Sequence, residues 1–452
     1  MITNLYTKMD KQYLKNIRDK MPEQLKYISA PLFRLSLIKN KEFLRYYNLL
    51  EQRETLTTDQ IRDYQFNQLK CILIHSYKTV PYYTELFDKI SFDPLKFSDF
   101  DAIKVIPYLT RNIINDNFDK LISKRNVKNG YYTGSTGGST GSPLRFLLDY
   151  DSLFKENAFI YYYRKKLGYK LNDRMATFRQ VKFGEDLWQY NPMHNELIFY
   201  PIKLTKASIV NVTKKINEFK PKYLNGYPSS IWYFAKLLDE NKVKHNLDLK
   251  GIFLMSENID EKQRAFIEEF FKVKSLVHYG HSERCVIAEE ISESLYSFDP
   301  YYGFTEQIPN ENGSYGIVGT GFLNSSMPLI RYKTDDVCIP EKQYYHIEGK
   351  RSSTIGLYGI NDEFIPSSAF DLSNPIFNNI IRNQFIQSEK GKADLLIVVG
   401  KNFKMSELSI IKDLLTKKSK NIIDITVKIV ETPVLSPRGK FESYISNLKK
   451  DS

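Results

Sequence analysis

The sequence has few cysteines, no long apolar runs and no compact basic block, and each lack excludes a class of protein. Only three cysteines, Cys71, Cys285 and Cys338, are spread over 452 residues. An odd number so widely separated gives neither a disulfide framework nor a zinc-ligand spacing, and suits a reducing compartment. No run of about 18 apolar residues occurs, so no transmembrane helix is expected. The first twenty residues, MITNLYTKMDKQYLKNIRDK, are too polar for a secretory signal. A cytoplasmic protein is the expectation. The net charge of +12 comes from lysines spread along the chain. With no compact basic block and no recognition motif, nucleic acid is not expected as a partner. Anionic nucleotides or lipids explain the charge equally well. The segment Tyr27–Asn40, YISAPLFRLSLIKN, is basic and amphipathic. It reads first as a helix packed on its own domain, with peripheral membrane contact as the alternative.

What is present is enough for a large core: 42% of residues are apolar and 26% charged. A chain of this length suggests two or three domains. The expected fold class is α/β, in four stretches. Residues 1–125 read as a helical part of a large N-terminal domain. Within it Thr58–Tyr77 repeats apolar residues at helical spacing until Pro81. Residues 126–290 read as a nucleotide-binding α/β core with a doubly wound, mainly parallel sheet. Its strands are Lys222–Asn225, Gly251–Leu254 and Ser275–Tyr279. They alternate with helices at Ala207–Phe219, Ser230–Glu240 (capped by Ser229) and Asp260–Phe271. Residues 291–349 read as a β-rich subdomain, with strands at Leu295–Phe298, Tyr315–Val318, Leu329–Tyr332 and Tyr344–Ile347. Residues 350–452 read as a small mobile α+β domain, with a helix around Pro375–Ile381, strands at Gln384–Gln387, Asp394–Val399 and Asp424–Val430, and a helix at Ser406–Lys417.

Four segments carry chemistry. Tyr132–Pro143, YTGSTGGSTGSP, cannot pack a core but can offer backbone N–H and hydroxyl donors to phosphate. It lacks the lysine of a Walker loop. Its Gly137-Gly138-Ser139-Thr140-Gly141 fits a nucleophile elbow on paper, but Pro143 and a strand follow where a helix is required. The three parallel strands deliver Tyr227, Ser256-Glu257 and Tyr279-Gly280-His281-Ser282-Glu283 to their carboxyl ends, where open sheets bind ligands. A carboxylate there, Glu257 or Glu283, suits Mg²⁺, which takes one or two carboxylates plus phosphate oxygens. Arg331–Asp336 offers carboxylates for a ribose diol, or is a charged turn. Ser436–Phe441 offers Lys440 as a long-reaching positive charge.

Together these segments resemble the adenylate-forming enzymes. YTGSTGGSTGSPL resembles their phosphate loop, YGHSE their aromatic-glycine-x-Ser/Thr-Glu motif, MPLIRYKTDD their ribose segment, HIEGKR their hinge and SPRGKFE their catalytic-lysine loop. VPYY at 80–83 and IPYLTR at 106–111 resemble the phenylacetate–CoA ligase/CapK branch, whose CapK-like members occur in polysaccharide biosynthesis. The resemblance implies ATP-dependent activation of a carboxylic acid to acyl-AMP, with Mg²⁺ and with CoA or a sugar amine or hydroxyl as acceptor. Transfer of the adenylyl group itself and non-catalytic nucleotide binding are the alternatives. It implies that Thr136, Ser139, Thr140 and Gly141 hold phosphates, that Tyr279 stacks on adenine, and that Gly138 and Gly280 belong to the same ATP site. By the same resemblance Ser282 meets phosphate, Glu283 the metal and Asp336 the ribose. Arg351 or Lys350 would grip the nucleotide at the hinge, and Lys440 would bridge the acid and the α-phosphate. Tyr227, Ser256, Glu257 and His194, with Tyr233 and Met255, are candidates for lining the acid's pocket. Gly137 replaces a common serine, Asp335 a common glycine, and RSSTIGLYG lacks the usual acidic residue after the hinge arginine, which bears on the transfer step.

Overall fold

A computed structural model gives the architecture. It describes residues 21–125, 130–136, 144–179, 186–200, 204, 207–256, 261–310, 313–348, 356–370, 372, 374–377, 379–399, 402–430, 434 and 444–448. The first stretch is helical, as expected: α1 (Glu23–Ile38), α2 (Lys41–Gln52), α3 (Thr58–Thr79), α4 (Pro81–Lys89) and α5 (Arg111–Asp116). Helix α3 shows the local logic. A reciprocal capping box between Thr57 and Gln60 opens it, and Leu69, Ile72 and Leu73 form its buried face. Pro81 then starts α4 at the position where its missing N–H costs nothing.

Strands β1 (Tyr131–Thr136) and β2 (Leu144–Asp149) form an antiparallel hairpin closed by the pair Thr136 and Leu144. The glycine-rich segment is therefore a strand as far as Thr136, not a loop from Tyr132. Gly134 permits the pairing, because a Cβ there would stand 2.4 Å from the Phe146 ring. Helix α6 (Tyr150–Arg164) follows at once. Next come β3 (Met175–Phe178), β4 (Trp188–Asn191), β5 (Glu196–Phe199), α7 (Ile209–Phe219), β6 (Tyr223–Gly226), α8 (Pro228–Glu240), β7 (Gly251–Leu254), α9 (Glu261–Phe271) and β8 (Ser275–Gly280). Strands β5, β3, β6, β7 and β8 are parallel neighbours. Residues of α7, α8 and α9 share one apolar cluster with this sheet, and residues of α2 and α6 share another. Helices thus cover both faces, as a doubly wound sheet requires. Helix α8 begins at Pro228 with Tyr227 in the cap position, not after Ser229. Proline's fixed φ suits the first helical turn.

The β-rich stretch is not a sheet of its own. Strand β9 (Ile287–Ser292) pairs antiparallel with β8. Then β10 (Leu295–Phe298), β11 (Gly303–Pro309), β12 (Tyr315–Gly321), β13 (Tyr332–Glu341) and β14 (Tyr344–Glu348) extend one twelve-stranded sheet. Strand β13 starts at Tyr332, where a strand was expected to end; Met327, Leu329 and Ile330 are buried as irregular chain.

The smaller C-terminal α+β part holds β15 (Gly356–Tyr358), β16 (Phe364–Pro366), β17 (Ile380–Glu389), β18 (Lys392–Val399), α10 (Glu407–Lys418), β19 (Asp424–Ile429) and β20 (Tyr444–Ser446). Its main sheet has the order β19-β18-β17-β20. The helix expected around Pro375–Ile381 is one 3₁₀ turn, Pro375–Phe377, running into β17.

Candidate active site

The carboxyl ends of β6, β7 and β8 lie side by side, since Gly226 pairs with Leu254 and Leu254 with Val277. Tyr227, Ser256 and Tyr279 therefore leave the sheet along one edge. Gly226 sets the close approach: its φ is +148°, and a Cβ would stand 2.2 Å from the Phe178 carbonyl oxygen. Ser256 takes the left-handed conformation, φ 65°, at the end of β7. His194 is not part of this edge. It precedes β5, whose first residue pairs with the first residue of β3, so it lies at the opposite, amino end of the parallel strands. There its Nδ1 is 3.0 Å from the Tyr161 hydroxyl.

Strand β8 carries Tyr279 to the edge and ends at Gly280, and a tight turn follows, closed by the Arg284 N–H donating to the His281 carbonyl. Ser282 is exposed at the turn's tip, while Glu283 is only 6% exposed. The turn folds the Glu283 side chain inward. The Tyr332 hydroxyl donates to its Oε1 at 3.2 Å. Its Oε2 lies 3.5 Å from His281 Nδ1 and has no hydrogen-bond partner. Burial alone would raise the Glu283 carboxyl, but His281, its own backbone N–H and Arg111 outweigh that and hold it at about 2. It is ionised at any physiological pH.

The Tyr279 hydroxyl donates to Asp336 Oδ2 at 2.8 Å, joining β8 to β13. Burial, and then the Asp336 charge, push this phenol well above its ordinary range, so it stays a donor. Asp335 is held in the left-handed region, φ 68°, and the Asp336 N–H donates to Thr334 Oγ1 at 3.2 Å. Arg331 is structural. It forks onto Glu306 at 2.9 and 2.7 Å and donates to the Lys104 and Ile106 carbonyls.

Two arginines absent from the expected set matter. Arg284 donates to Glu156 at 2.8 Å, Ser152 Oγ at 2.6 Å and Tyr132 Oη at 2.9 Å. It thereby ties the 281–284 turn to α6 and to the strand that leads into the glycine-rich loop. Arg111 begins α5, whose cap Thr110 accepts from the Ile113 N–H. The preceding segment is pinned to β13: Leu109 N–H donates to the Arg331 carbonyl at 3.0 Å, and Lys333 N–H to the Leu109 carbonyl at 2.9 Å. Arg111 Nη2 lies 3.9 Å from Asp335 Oδ2, while its buried Nε and Nη1 have no hydrogen-bond partner. The only sequence signal for Arg111 is its place at the end of IPYLTR; Arg284 has none beyond following the motif glutamate.

Tyr279, Gly280, Ser282, Glu283 and Asp336 are thus tied into one frame, joined through Arg284 to Tyr132 of the β1–β2 hairpin, with Tyr227 and Ser256 on the neighbouring strand ends; Thr136 stands at the far end of that hairpin. Gly138, Ser139, Thr140, Gly141, Glu257, Lys350, Arg351 and Lys440 lie outside the described residues, as does the side chain of Tyr233. Among the described residues no group of three or more metal-ligating side chains occurs. A lone buried, ionised carboxylate with an unpartnered oxygen still fits Mg²⁺, whose other ligands come from phosphates and water. No described helix is long and apolar enough to cross a membrane.

Comparison with known proteins places this geometry. A profile of the CapK C-terminal domain matches residues 357–447. Protein CapK of Staphylococcus aureus is 24% identical over 442 residues, covering 91% of this chain and 96% of that one. Phenylacetate-coenzyme A ligase of Pseudomonas putida is 21% identical, covering 69% and 76%. Among solved structures, 2-hydroxyisobutyryl-CoA ligase with 2-HIB-AMP and CoA in the thioesterification state superposes with a TM-score of 0.59 at 15% identity, covering 88% and 92%. The same enzyme in the postadenylation state superposes with a TM-score of 0.55 at 14% identity, covering 88% and 91%. At such identities the likeness to the solved structures is one of fold.

Proposed function

From the premise that this chain is a relative of CapK and of the phenylacetate–CoA ligases within the adenylate-forming superfamily, we propose that it activates a carboxylic acid with ATP. A carboxylate oxygen of the acid attacks the α-phosphorus, a new P–O bond forms, and the bond to the β-phosphate breaks. The products are acyl-AMP and pyrophosphate. Transfer of the acyl group to an acceptor follows, either to the CoA thiol or to an amine or hydroxyl of a sugar. A cytoplasmic setting, where ATP is abundant and thiols stay reduced, suits the three free cysteines.

The observation that carries this reading is Glu283, ionised and buried at the carboxyl edge of β8 with one oxygen unpartnered. Glu283 is the residue that would hold Mg²⁺, which when bound neutralises charge on the phosphate oxygens. Tyr279 is only partly buried; its ring is offered to the adenine, and its hydroxyl orients Asp336 toward the ribose. Thr136, with Gly138, Ser139, Thr140 and Gly141, receives the terminal phosphates, and Ser282 adds a hydroxyl. Lys440, with Arg351 or Lys350 at the hinge, brings positive charge to the reacting carboxylate and α-phosphate. Tyr227, Ser256 and Glu257 lie on the acid's side of the edge. The protein's contribution is positioning and fixed charge, which can supply much of the barrier reduction in a phosphorus-centred displacement.

The direct test is acid-dependent ATP–pyrophosphate exchange across a panel of carboxylates. Exchange that appears only with particular acids supports the proposal and names the substrate. Nucleotide binding without exchange for any acid would refute it.

A further inference from the structure

Helix α1 has two apolar faces, and the protein covers only one. On the inner side Ala30 and Leu37 are buried, and the Tyr27 ring stacks on Tyr190 at 3.9 Å. Arg34 Nε donates to Asn172 Oδ1 at 2.9 Å and fixes the helix further. On the outer side Leu25, Ile28, Leu32 and Leu35 are 51, 75, 63 and 40% exposed. At about 100° per residue these four fall within an arc of roughly 80°, opposite the buried pair. No other helix among the described residues exposes four large apolar side chains. In α2 Leu44 is a further exposed apolar side chain, 43% exposed, and Lys39, Lys41 and Arg45 near it in sequence are exposed as well.

The stretch of sequence that precedes and contains this helix is cationic. Residues 1–41 hold nine lysines and arginines against three acidic residues, a net +6 and half of the whole chain's +12. A second copy laid on the stripe would bring like charges together, which opposes self-pairing. The first twenty residues, with five basic and two acidic side chains, are cationic as well. An exposed apolar stripe on a helix, preceded and followed by cations in the sequence, matches an anionic lipid surface in both of its terms. We propose that the outer face of α1 docks the protein on an anionic phospholipid bilayer, with Leu25, Ile28, Leu32 and Leu35 in the acyl boundary and Lys39, Lys41 and Arg45 among the headgroups.

The test is sedimentation of the full-length protein with vesicles of phosphatidylcholine alone or with about one-third phosphatidylglycerol added. Anionic lipid should raise the partition coefficient at least about tenfold. Raising salt from about 0.1 to about 0.5 M, which shortens the Debye length from ~10 to ~4 Å, should reverse most of that gain. The pair I28D/L32D should cut binding to the anionic vesicles at least about tenfold. Leu95→Asp, at a side chain 56% exposed elsewhere, should leave it unchanged. Melting temperature, size on gel filtration and pyrophosphate exchange should be the same for I28D/L32D as for the wild type. Equal, weak binding to both vesicle types overturns the proposal, and so does a variant that still sediments. A clearly lowered melting temperature in I28D/L32D also overturns it, because the stripe is then covered by the chain's own residues. A wild-type dimer that the variant dissociates overturns it in favour of a second copy.

Discussion

Replacing Glu283 by glutamine tests the centre of the site and separates two effects that a surface carboxylate would not couple. Glutamine keeps the shape and an acceptor for the Tyr332 hydroxyl, 3.2 Å away, but removes the charge that faces His281 and Arg111. The native carboxyl stands at about 2, against ~4.3 for an unfolded glutamate. Because the folded value is the lower one, the charge stabilises the fold above about pH 4.3 and ceases to do so as the pH falls through the folded value. Two units or so correspond to on the order of 3 kcal/mol at most. A neutral amide retains part of the local bonding, so a loss of about 1–3 kcal/mol is expected, read by urea or thermal unfolding. A partly exposed glutamate would have shown no such loss. Activity should fall further, by at least about 10²-fold in acid-dependent pyrophosphate exchange, the range for removing a fixed electrostatic stabiliser. Circular dichroism at the assay temperature separates the two effects, since the variant should be folded where it is inactive. In the wild type, no acid limb of the exchange rate should arise from Glu283 above about pH 4, because its folded value is near 2. Near-normal exchange by a folded Glu283→Gln protein would remove this residue from the mechanism.

Three further outcomes are expected. Arg111→Met should raise the KM for ATP and lower exchange by about tenfold or more, and Arg111→Lys should recover part of it, if the unpartnered guanidinium nitrogens face the nucleotide's charge; unchanged kinetics would make Arg111 structural. Lys440→Ala should depress exchange by roughly 10²–10³-fold yet transfer from preformed acyl-adenylate at close to the wild-type rate; equal loss in both half-reactions would refute a role confined to adenylation. An amino sugar or sugar nucleotide should speed AMP release while CoA does not, and a strict CoA requirement, read as consumed thiol, would overturn that preference.

The parts of this structure legible in the sequence are those whose signal is local. Strand β7 was bounded correctly because Gly251–Leu254 is a short, fully buried apolar run between turn residues. Strands β3 and β5 were not anticipated. Each has only four residues, and their ladder partners lie in distant segments. Leu329–Tyr332 reads as a strand in the sequence, but Leu329 and Ile330 are buried by packing and the strand begins only at Tyr332. Residues 291–349 read as a β-rich subdomain, and the β8–β9 pairing joins its strands to the parallel part in one continuous sheet. Tyr279, Glu283 and Asp336 stand out as candidates in the sequence because strand ends and a recognisable motif present them, and the structure brings Tyr279 and Asp336 together. His194 was misplaced because sequence order does not say which end of a parallel strand faces the ligand. Arg111 and Arg284 act through partners far away in sequence, so no spacing marks them.

The contrast among three arginines near the edge separates scaffold from function. Arg331 spends its guanidinium on Glu306 and two carbonyls, and Arg284 on Glu156, Ser152 and Tyr132. Such paired, hydrogen-bonded charges cross-link segments that are remote in sequence. Breaking one by truncation leaves a half-buried carboxylate without its cation, at a cost below the roughly 3–5 kcal/mol of a fully buried pair. Arg111 and Glu283 are different: each keeps buried polar atoms without partners. Unpaired buried atoms alone do not mark a site, since Arg34, whose Nε is bound to Asn172 ahead of β3 at the amino end of the parallel strands, has one too. What distinguishes Arg111 and Glu283 is that they sit together beside the Tyr279–Asp336 pair, on a frame the paired arginines hold rigid. The desolvation cost of leaving them incompletely matched is sustained by that frame, and a bound nucleotide with its metal is the kind of ligand that relieves it. Arg284→Met should therefore impair folding and exchange together, whereas Arg111→Met should impair exchange in a protein of nearly native stability. If the stability losses of the two variants were equal, the division between scaffold and ligand-facing charges would fail.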